Sequence, residues 1–273
     1  MNGILREIIA RRGLIYQLAL KELKTRYCRV ALGIIWAFLS PFLTAVIFYI
    51  IFSVFLKINT NETPFFLYLM TAVFTWGFFQ ESLLTATTSL MANRNLIRES
   101  NFPHYLIPLS IVLANLINFL PSLAIIIATA VLMLKGASVF LIALPLVILL
   151  HALITVGLSV FFSVVYVKFR DIKYILDALL LFLFYSTPVF YTLQAVKTTL
   201  PKGLFSIYMS NPFVGMLTLY RLAILKGFPY PTQEYASAAF IIFIPLLFGV
   251  VTCLFGFLLY EKNKNKINDY LSY

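Results

Sequence analysis

Residues 105–134 read YLIPLSIVLANLINFLPSLAIIIATAVLML and contain no Asp, Glu, Lys or Arg. A helix of this length extends about 45 Å, at about 1.5 Å per residue. The hydrocarbon core of a bilayer is about 30 Å thick, so the stretch is long enough to cross it. A membrane β-strand would instead alternate apolar and polar residues over about ten positions. This stretch therefore predicts a helical integral membrane protein.

The rest of the chain repeats this pattern. Hydrophobic residues make up 62% of the 273 residues, and only 11% are charged. A water-soluble domain of this size could not cover so much apolar surface. We therefore expect residues 1–273 to form a single all-α transmembrane domain with six transmembrane helices. The six predicted spans are residues 33–56, 65–88, 105–134, 138–167, 173–192 and 236–260.

Positive charge is distributed unequally among the segments that connect these spans. Fifteen of the 21 Lys and Arg residues lie in one alternating set of segments. This set comprises residues 1–32, 89–104, 168–173 and 261–273. The positive-inside rule places the set in the cytoplasm, which predicts a multi-pass protein of the cytoplasmic (inner) membrane with cytoplasmic N and C termini. The net charge of +11 is explained by contact with anionic membrane lipid and requires no nucleic acid partner.

The N-terminal segment, residues 1–30, combines basic residues with apolar ones near helical spacing. Ile4, Ile8 and Ile15 recur among several arginines. This pattern predicts an amphipathic helix that lies on the inner leaflet, and a solvated basic tail is the alternative. Residues 261–273 are expected to form a short cytoplasmic tail.

Several sequence features of enzymes and ion-coupled carriers are missing. No GxxxxGK[ST] motif occurs, so the chain has no phosphate loop of its own for ATP. The ten carboxylates are not clustered as a metal centre requires, and none lies near the middle of a span. His151 does lie there, either as a functional group or as an imidazole bonded to a neighbouring helix. We therefore predict a transport subunit with no catalytic residue, metal or cofactor, powered by another protein.

Residues 93–103, NRNLIRESNFP, form a charged block between the second and third spans. One of the first asparagines can start a short helix, which the Phe102-Pro103 step would end. Such a helix would expose Leu96 and Ile97, a surface that suits insertion into a groove on a partner protein. A helix lying flat on the membrane explains the same spacing.

The fifth span has a distinctive start and end. Asp171, which follows Arg170, can cap the N-terminus of the helix, where a carboxylate meets free backbone N–H groups. Near the end of the span, Pro188 removes a backbone hydrogen bond. We therefore expect a bend near the outer leaflet.

The predicted external segment before the last span contains two apolar runs, residues 203–209 and 212–225. Both are too short to span a membrane. The Asn211-Pro212 step divides them and is a typical helix start. The pattern predicts external re-entrant helices over residues 200–226, and a small external cap packed on the bundle is the alternative.

Aromatic residues make up 16% of the chain and are frequent in the first and fifth spans. Lipid-facing Phe and interfacial Tyr or Trp explain many of them. A conduit that presents aromatic rings to the apolar faces of a passing sugar chain is the alternative.

Four stretches together resemble the permease subunit of type-2 ABC exporters for polysaccharides, the Wzm and TagG/TarG group. Residues 20–41, LKELKTRYCRVALGIIWAFLSP, are similar to the family's approach to its first span. The others are NLIRESNFP (95–103), the RD and TPVFY elements of residues 169–191, and NPFVGMLTLYR (211–221). The stretches occur in the family's order, and the resemblance covers essentially the whole chain.

The resemblance implies a homodimer bound to two copies of a separate ABC ATPase, which would bind ATP and Mg²⁺. It also implies that residues 93–103 form a coupling helix seated in an ATPase cleft. The coupling residues implied are Asn95, Leu96, Arg98, Glu99, Phe102 and Pro103.

The family likeness further implies a channel between the two copies, closed on the outside by residues 200–226. The implied channel-lining residues are Trp36, Phe38, Phe42, Tyr49, Phe52, Phe182 and Tyr185. The implied gate residues are Pro188, Tyr191, Asn211, Pro212 and Arg221, and Arg170 and Asp171 mark the start of the fifth span.

The leading functional hypothesis is therefore the ATP-driven export of a polyprenyl-linked polysaccharide of the O-antigen, capsule or teichoic acid type. A type-2 ABC exporter of a drug or small lipid is the alternative, because it would share the coupling parts. A membrane-embedded glycan enzyme is a third class, which the sparse carboxylates disfavour.

Overall fold

A computed structural model describes residues 2–28, 32–57, 64–99, 102–229 and 238–270. Within these ranges every regular element is a helix, which confirms the predicted all-α class. Parts of four predicted segments lie outside the described residues. These parts are Met1 and residues 29–30 of the N-terminal segment, residues 100–101 of the coupling helix, 236–237 of the last span and 271–273 of the tail.

The helices are numbered in chain order. They are α1 (Asn2–Ala10), α2 (Arg12–Tyr27), α3 (Trp36–Phe48), α4 (Phe65–Ala92), α5 (Arg94–Glu99), α6 (Leu106–Met133), α7 (Leu144–Lys168), α8 (Ile172–Ser186), α9 (Leu193–Thr199), α10 (Lys202–Met209), α11 (Pro212–Ile224) and α12 (Ala238–Tyr270). Short 3₁₀ turns at Gly33–Ile35 and Val139–Ala143 precede α3 and α7, and a π-helical segment, Tyr49–Phe55, continues α3.

Four helical stretches in the described chain are long and apolar enough to cross a membrane. They are Trp36–Phe55, Leu106–Met133, Val139–Lys168 and Phe240–Ile267. These stretches correspond to the first, third, fourth and sixth predicted spans. The second and fifth predicted spans coincide with α4, which carries many polar side chains, and α8, which has 15 residues and is about 22 Å long. The six-span topology therefore stays a prediction.

Helix α4 forms the centre of the bundle. It packs against α6 and α7 and also contacts α3, α8 and α11, so most of its residues are buried. Its hydroxyl groups bond within the helix. Thr71 Oγ1 donates to the carbonyl of Leu67 at 2.8 Å, and Thr87 Oγ1 donates to the carbonyl of Leu83 at 2.7 Å. Because protein rather than lipid surrounds this helix, its mixed composition is tolerated.

Helices α7 and α12 approach each other closely. A Cβ atom added at Gly157 would lie 2.5 Å from the backbone nitrogen of Cys253. A Cβ atom at Gly256 would lie 2.5 Å from the carbonyl oxygen of Gly157. Both distances are shorter than a carbon contact allows, so larger residues would push the helices apart. Small residues are a common means of close packing between membrane helices.

The N-terminal helices pack on the bundle. Ile15 and Ala19 of α2 are buried, and α2 contacts α6. The Glu7 carboxylate accepts a 2.9 Å hydrogen bond from the Tyr105 hydroxyl. The N-terminal segment is therefore helical and attached to the protein, rather than a solvated tail.

Two helices end elsewhere than predicted. Helix α8 stops at Ser186, six residues before residue 192, and Thr187 is extended with φ −103° and ψ 155°. The residue before a proline avoids the helical region, so Pro188 ends the helix instead of bending it. Helix α12 continues past residue 260 to Tyr270. The charged residues there are good helix formers, and Lys264 pairs with Glu261 at 2.8 Å.

Candidate functional site

Five residues from separate parts of the described chain form a network of polar contacts, here called the arginine cluster. Its members come from four parts of the bundle, namely α4, the segment after α8, α10 and α11. They are Tyr68, Pro188, Tyr191, Tyr208 and Arg221. The cluster lies where the fifth predicted span ends and the predicted re-entrant helices begin.

Arg221 is the central member of the cluster and is only 1% exposed. Its Nη2 atom donates to the carbonyl oxygen of Pro188 at 2.7 Å and to that of Tyr68 at 3.3 Å. The Cζ atom of the guanidinium lies 3.3 Å from the centroid of the Tyr68 ring, a close cation–π contact. A single side chain therefore joins α11 to both α4 and the segment after α8.

Two tyrosines complete the arginine cluster. The Tyr68 hydroxyl donates to the carbonyl of Tyr191 at 2.8 Å, with a longer contact of 3.3 Å to that of Pro188. The Tyr208 hydroxyl lies 3.5 Å from the Tyr191 hydroxyl. Carbonyl groups that have lost their helical partners require new donors inside a membrane protein. The cluster supplies such donors where α8 has ended.

The structure brings together three of the five predicted gate residues, namely Pro188, Tyr191 and Arg221. The other two lie at the start of α11, where Asn211 Oδ1 accepts from the backbone N–H of Phe213 at 3.0 Å and Pro212 takes the first helical position. This predicted helix start is confirmed.

Sequence reasoning missed Tyr68 and Tyr208. One aromatic residue in an aromatic-rich stretch carries no distinctive pattern. The available signal was chemical, because a buried tyrosine hydroxyl requires a hydrogen-bond partner.

The charged block before α6 forms α5, a helix of six residues. The expectation that Ile97 is exposed is wrong, because this side chain is 3% exposed and packs against apolar residues of α2, α4 and α6. Phe102 is half-buried against the same group. The spacing of an amphipathic helix does not distinguish the protein's own core from a partner's groove, and here the core takes these side chains.

The polar side of α5 faces outward. Asn95, Arg98 and Glu99 are exposed, while Leu96, Phe102 and Pro103 are half-buried. Asn93 Oδ1, at the start of α5, accepts a 3.0 Å hydrogen bond from Lys21 Nζ on α2. The N-terminal helices and α5 therefore form one continuous surface.

His104 lies between this surface and the start of α6. Its backbone N–H donates to the Tyr260 hydroxyl at 3.0 Å, and its imidazole is buried. Burial lowers the pKa of His104 below its ordinary value, because the charged form loses its hydration.

The predicted channel-lining residues are mostly exposed in the single chain. Phe38 and Phe42 on α3 are 55% and 52% exposed, and Phe182 and Tyr185 on α8 are 67% and 61% exposed. Trp36 and Tyr49 are also exposed. Phe52 is half-buried, with its ring 5.6 Å from that of Phe65. Because α4 contacts both α3 and α8, the two aromatic rows lie on helices that flank it.

The fifth predicted span begins where the sequence predicts, but the predicted capping by Asp171 is wrong. Arg170 and Asp171 are exposed and precede α8 directly. The Asp171 side chain makes no capping hydrogen bond, since its backbone is already helical at φ −69° and ψ −16°. An N-cap residue normally has an extended backbone that turns its side chain toward the first N–H groups.

His151 is buried among aromatic side chains of α4 and α11. Its Nδ1 atom lies 3.3 Å from the Tyr220 hydroxyl, and its ring lies edge-to-face against Phe78 with centroids 5.0 Å apart. This arrangement matches the expectation of an imidazole bonded to a neighbouring helix.

Part of the sequence matches the model of a known protein family. The model of the ABC-2 type transporter family matches residues 13–225, which is more than half of the chain. The chain belongs to the ABC-2 type transporter family. The match runs from α2 through α11 and therefore includes α5 and the whole arginine cluster.

Curated ABC-2 relatives extend the similarity to almost the full length. The chain is 29% identical over 249 residues to the O-antigen export system permease protein RfbA of Myxococcus xanthus, covering 91% of this chain and 94% of that protein. Two proteins of the same name from Klebsiella pneumoniae are each 27% identical, over 252 and 253 residues, with 92% of each chain covered. The resemblance inferred from the sequence is therefore confirmed, and this chain is a transport component.

Proposed function

We propose that the chain is the permease subunit of an ATP-driven exporter that moves a lipid-linked polysaccharide across the cytoplasmic membrane. The observation that carries this proposal is similarity over more than nine tenths of the chain to permeases named for O-antigen export. A drug or small-lipid exporter is not favoured, because none of these relatives is named for such a substrate.

The proposed topology has six spans, with both termini in the cytoplasm. Four apolar helices support it, and α4 and α8 would supply the other two spans. Helices α10 and α11 would be the external re-entrant pair. Arg221 on α11 lies at the end of α8, as expected of a segment that covers the outer mouth.

The proposed assembly is a homodimer bound to two copies of a separate ATPase, which holds ATP and Mg²⁺. Exposed aromatic side chains on α3 and α8 support a second copy, because they leave two faces of the bundle uncovered. The joined surface of α2 and α5 supports the ATPase contact, since it combines exposed charge with attachment to the core.

Helix α4 offers a direct route from the ATPase to the outer gate. Its C-terminal end continues into α5 through Asn93, and its first turn carries Tyr68 of the arginine cluster. Its 28 residues extend about 42 Å. A tilt of α5 on ATP binding would therefore move Tyr68 relative to Arg221 and open the mouth beside Pro188.

Depletion of the chain from its host cells tests the proposed function. We expect loss of surface polysaccharide and accumulation of the lipid-linked glycan inside the cytoplasmic membrane, both reversed by re-expression. Unchanged surface polysaccharide, or a defect confined to drug efflux, would contradict the proposal. Purification of the chain with its bound ATPase would then establish the stoichiometry.

A further inference from the structure

A cleft lies between α3, α4 and α6, with a few polar side chains in a mainly apolar lining. Its volume is about 490 Å³, within the range of about 300–1,000 Å³ typical of ligand sites. The C-terminal end of α2 borders it at Arg26 and Tyr27. The cleft extends along α3 from Trp36 to Thr44, roughly 12 Å of helix.

The deepest polar group of the cleft is the amide of Asn115 on α6. This residue is 3% exposed, and neither its Nδ2 nor its Oδ1 atom has a hydrogen-bond partner in the described part of the protein. A buried amide without a hydrogen-bond partner is unfavourable and requires a partner from outside the protein chain. Asn115 therefore offers both a donor and an acceptor to a polar group that enters the cleft.

Two pairs of polar side chains in the cleft already bond to each other. Arg26 lies 3.4 Å from Glu81, so their charges compensate each other. Tyr27 donates its hydroxyl to Oδ1 of Asn118, one turn along α6 from Asn115. A phosphate would require an uncompensated cation, and a metal ion would require more than one free oxygen ligand.

An asparagine amide both donates and accepts hydrogen bonds. A hydroxyl group does the same, and is therefore able to satisfy Nδ2 and Oδ1 together where a pure anion or cation satisfies one. The lining also includes Trp36 on α3, a residue that is 36% exposed and carries an apolar aromatic ring. Hydroxyl partners beside an aromatic ring are the chemistry that recognises a sugar.

We propose that this cleft binds the sugar headgroup of a membrane-anchored amphiphile through Asn115 and Trp36. The inference deepens the proposed function, on which it rests, because the lipid-linked glycan is such an amphiphile. In the proposed topology the mouth of the cleft, at Arg26 and Tyr27, faces the inner leaflet, where a headgroup enters without leaving the membrane surface. The headgroup of an ordinary membrane glycolipid has the same chemistry.

Native mass spectrometry of the full chain in phosphatidylcholine nanodiscs tests this site. The probes are polyprenyl-phosphate glucose, polyprenyl phosphate without sugar, and glucosyl diacylglycerol. We expect the sugar-bearing probes to be retained about tenfold more than the sugar-free one. Preference for the polyprenyl probe would identify the export substrate as the natural ligand, and equal retention of both glucosides would identify a general sugar-headgroup site.

Two variants make the test specific. Asn115→Leu removes the unpartnered amide and keeps the shape of the side chain, so we expect it to fold and to lose the preference for sugar. Trp36→Ala changes an exposed residue and should independently weaken the preference for the sugar-bearing probes. The matched control is Ser159→Ala, since Ser159 Oγ is another buried group without a partner in the described chain but does not line the cleft.

Equal retention of all probes, or an unchanged preference in Asn115→Leu, would overturn the site and leave water as the partner of Asn115. Neither measurement requires export. Equal retention of the probes by the native chain, together with loss of surface polysaccharide in depleted cells, would therefore refute the cleft alone. Intact binding with normal surface polysaccharide in depleted cells would refute the proposed export function alone.

Discussion

Arg221 is a cationic side chain that the fold buries almost completely. It is stabilised by two backbone carbonyls and the face of Tyr68 rather than by a carboxylate. Carbonyl oxygens and an aromatic ring attract the guanidinium less strongly than a carboxylate would. The contacts join three elements, namely α4, α11 and the segment after α8. The Arg221 contacts therefore hold these three elements together, and they can still break when one of the elements moves.

We expect Arg221→Met to lower the free energy of unfolding by about 2–4 kcal/mol, because the carbonyls of Tyr68 and Pro188 lose a charged donor. Chemical unfolding of the purified protein in detergent measures the change. The matched control is Arg170→Met, which alters an exposed arginine and should shift stability by less than about 0.5 kcal/mol. Equal stability of the two variants would show that the arginine cluster does not hold the fold together.

His104 should make stability depend on pH. Its pKa is lower in the folded protein than in the unfolded chain, whose histidine titrates near 6.5. Below that pH the unfolded chain gains a proton that the folded protein resists, so stability is complete above about pH 6.5 and falls as the pH drops toward the folded pKa. The slope cannot exceed about 1.4 kcal/mol per pH unit for one proton.

Thermal unfolding at neutral and mildly acidic pH measures this effect. We expect His104→Phe, which does not titrate, to unfold with a smaller dependence on pH than the native chain. An identical pH dependence would assign the acid sensitivity to other groups.

Helix α5 has one side buried in the protein and one side exposed. Ile97 belongs to the permease core, whereas Arg98 and Glu99 remain on the surface. Contact with the ATPase would therefore depend on charge and shape rather than on an inserted apolar anchor.

Substitutions on the two sides of α5 should affect different properties, namely ATPase binding on the exposed side and stability on the buried side. We expect Arg98→Ala to weaken ATPase binding about tenfold and to reduce export, with little change in unfolding temperature. Ile97→Ala should instead cost about 2–5 kcal/mol of stability, because it leaves a cavity in the core. Co-purification with the ATPase and thermal unfolding separate the two effects. An Arg98→Ala protein that binds and exports normally would place the ATPase contact elsewhere.

The sequence predicts helices better than it predicts their contacts. The Asn211-Pro212 helix start and four apolar spans follow from local rules of capping and hydrophobicity, whereas the sequence predicted only a bend at Pro188, where α8 ends. The burial of Ile97 and the Tyr68–Arg221 contact depend on which helices meet. Arg221 and Tyr68 are 153 residues apart in the chain, and no local pattern encodes such a pair.

In the described chain, α3 and α8 each present exposed aromatic side chains, and α12 does so at Phe240, Phe243 and Phe255. Lipid would accept these surfaces, and so would a second copy. In the proposed homodimer, the hydroxyl and indole groups on α3 and α8 would leave the surface between the two copies partly wet, as a channel requires.

Disulfide cross-linking distinguishes these possibilities. The native cysteines are replaced first, as Cys28→Ser and Cys253→Ala. We then expect Phe182→Cys to form a covalent dimer in membranes, because a disulfide requires Cβ atoms about 3.5–4.5 Å apart. Leu258→Cys serves as the control, since Leu258 is similarly exposed, at 64%, but lies on α12. Cross-linking of the control alone would place the dimer contact on α12 instead.

The mixed composition of α4 also has a consequence for biosynthesis. A segment carrying Gln80, Glu81 and many hydroxyl groups is a weak substrate for the insertion machinery on its own, since each polar group opposes partition into lipid. As the second span of the proposed topology, α4 would enter the bilayer after α6 and α7 have emerged from the ribosome and can shield it. Nascent chains truncated before α6 should therefore leave α4 outside the bilayer.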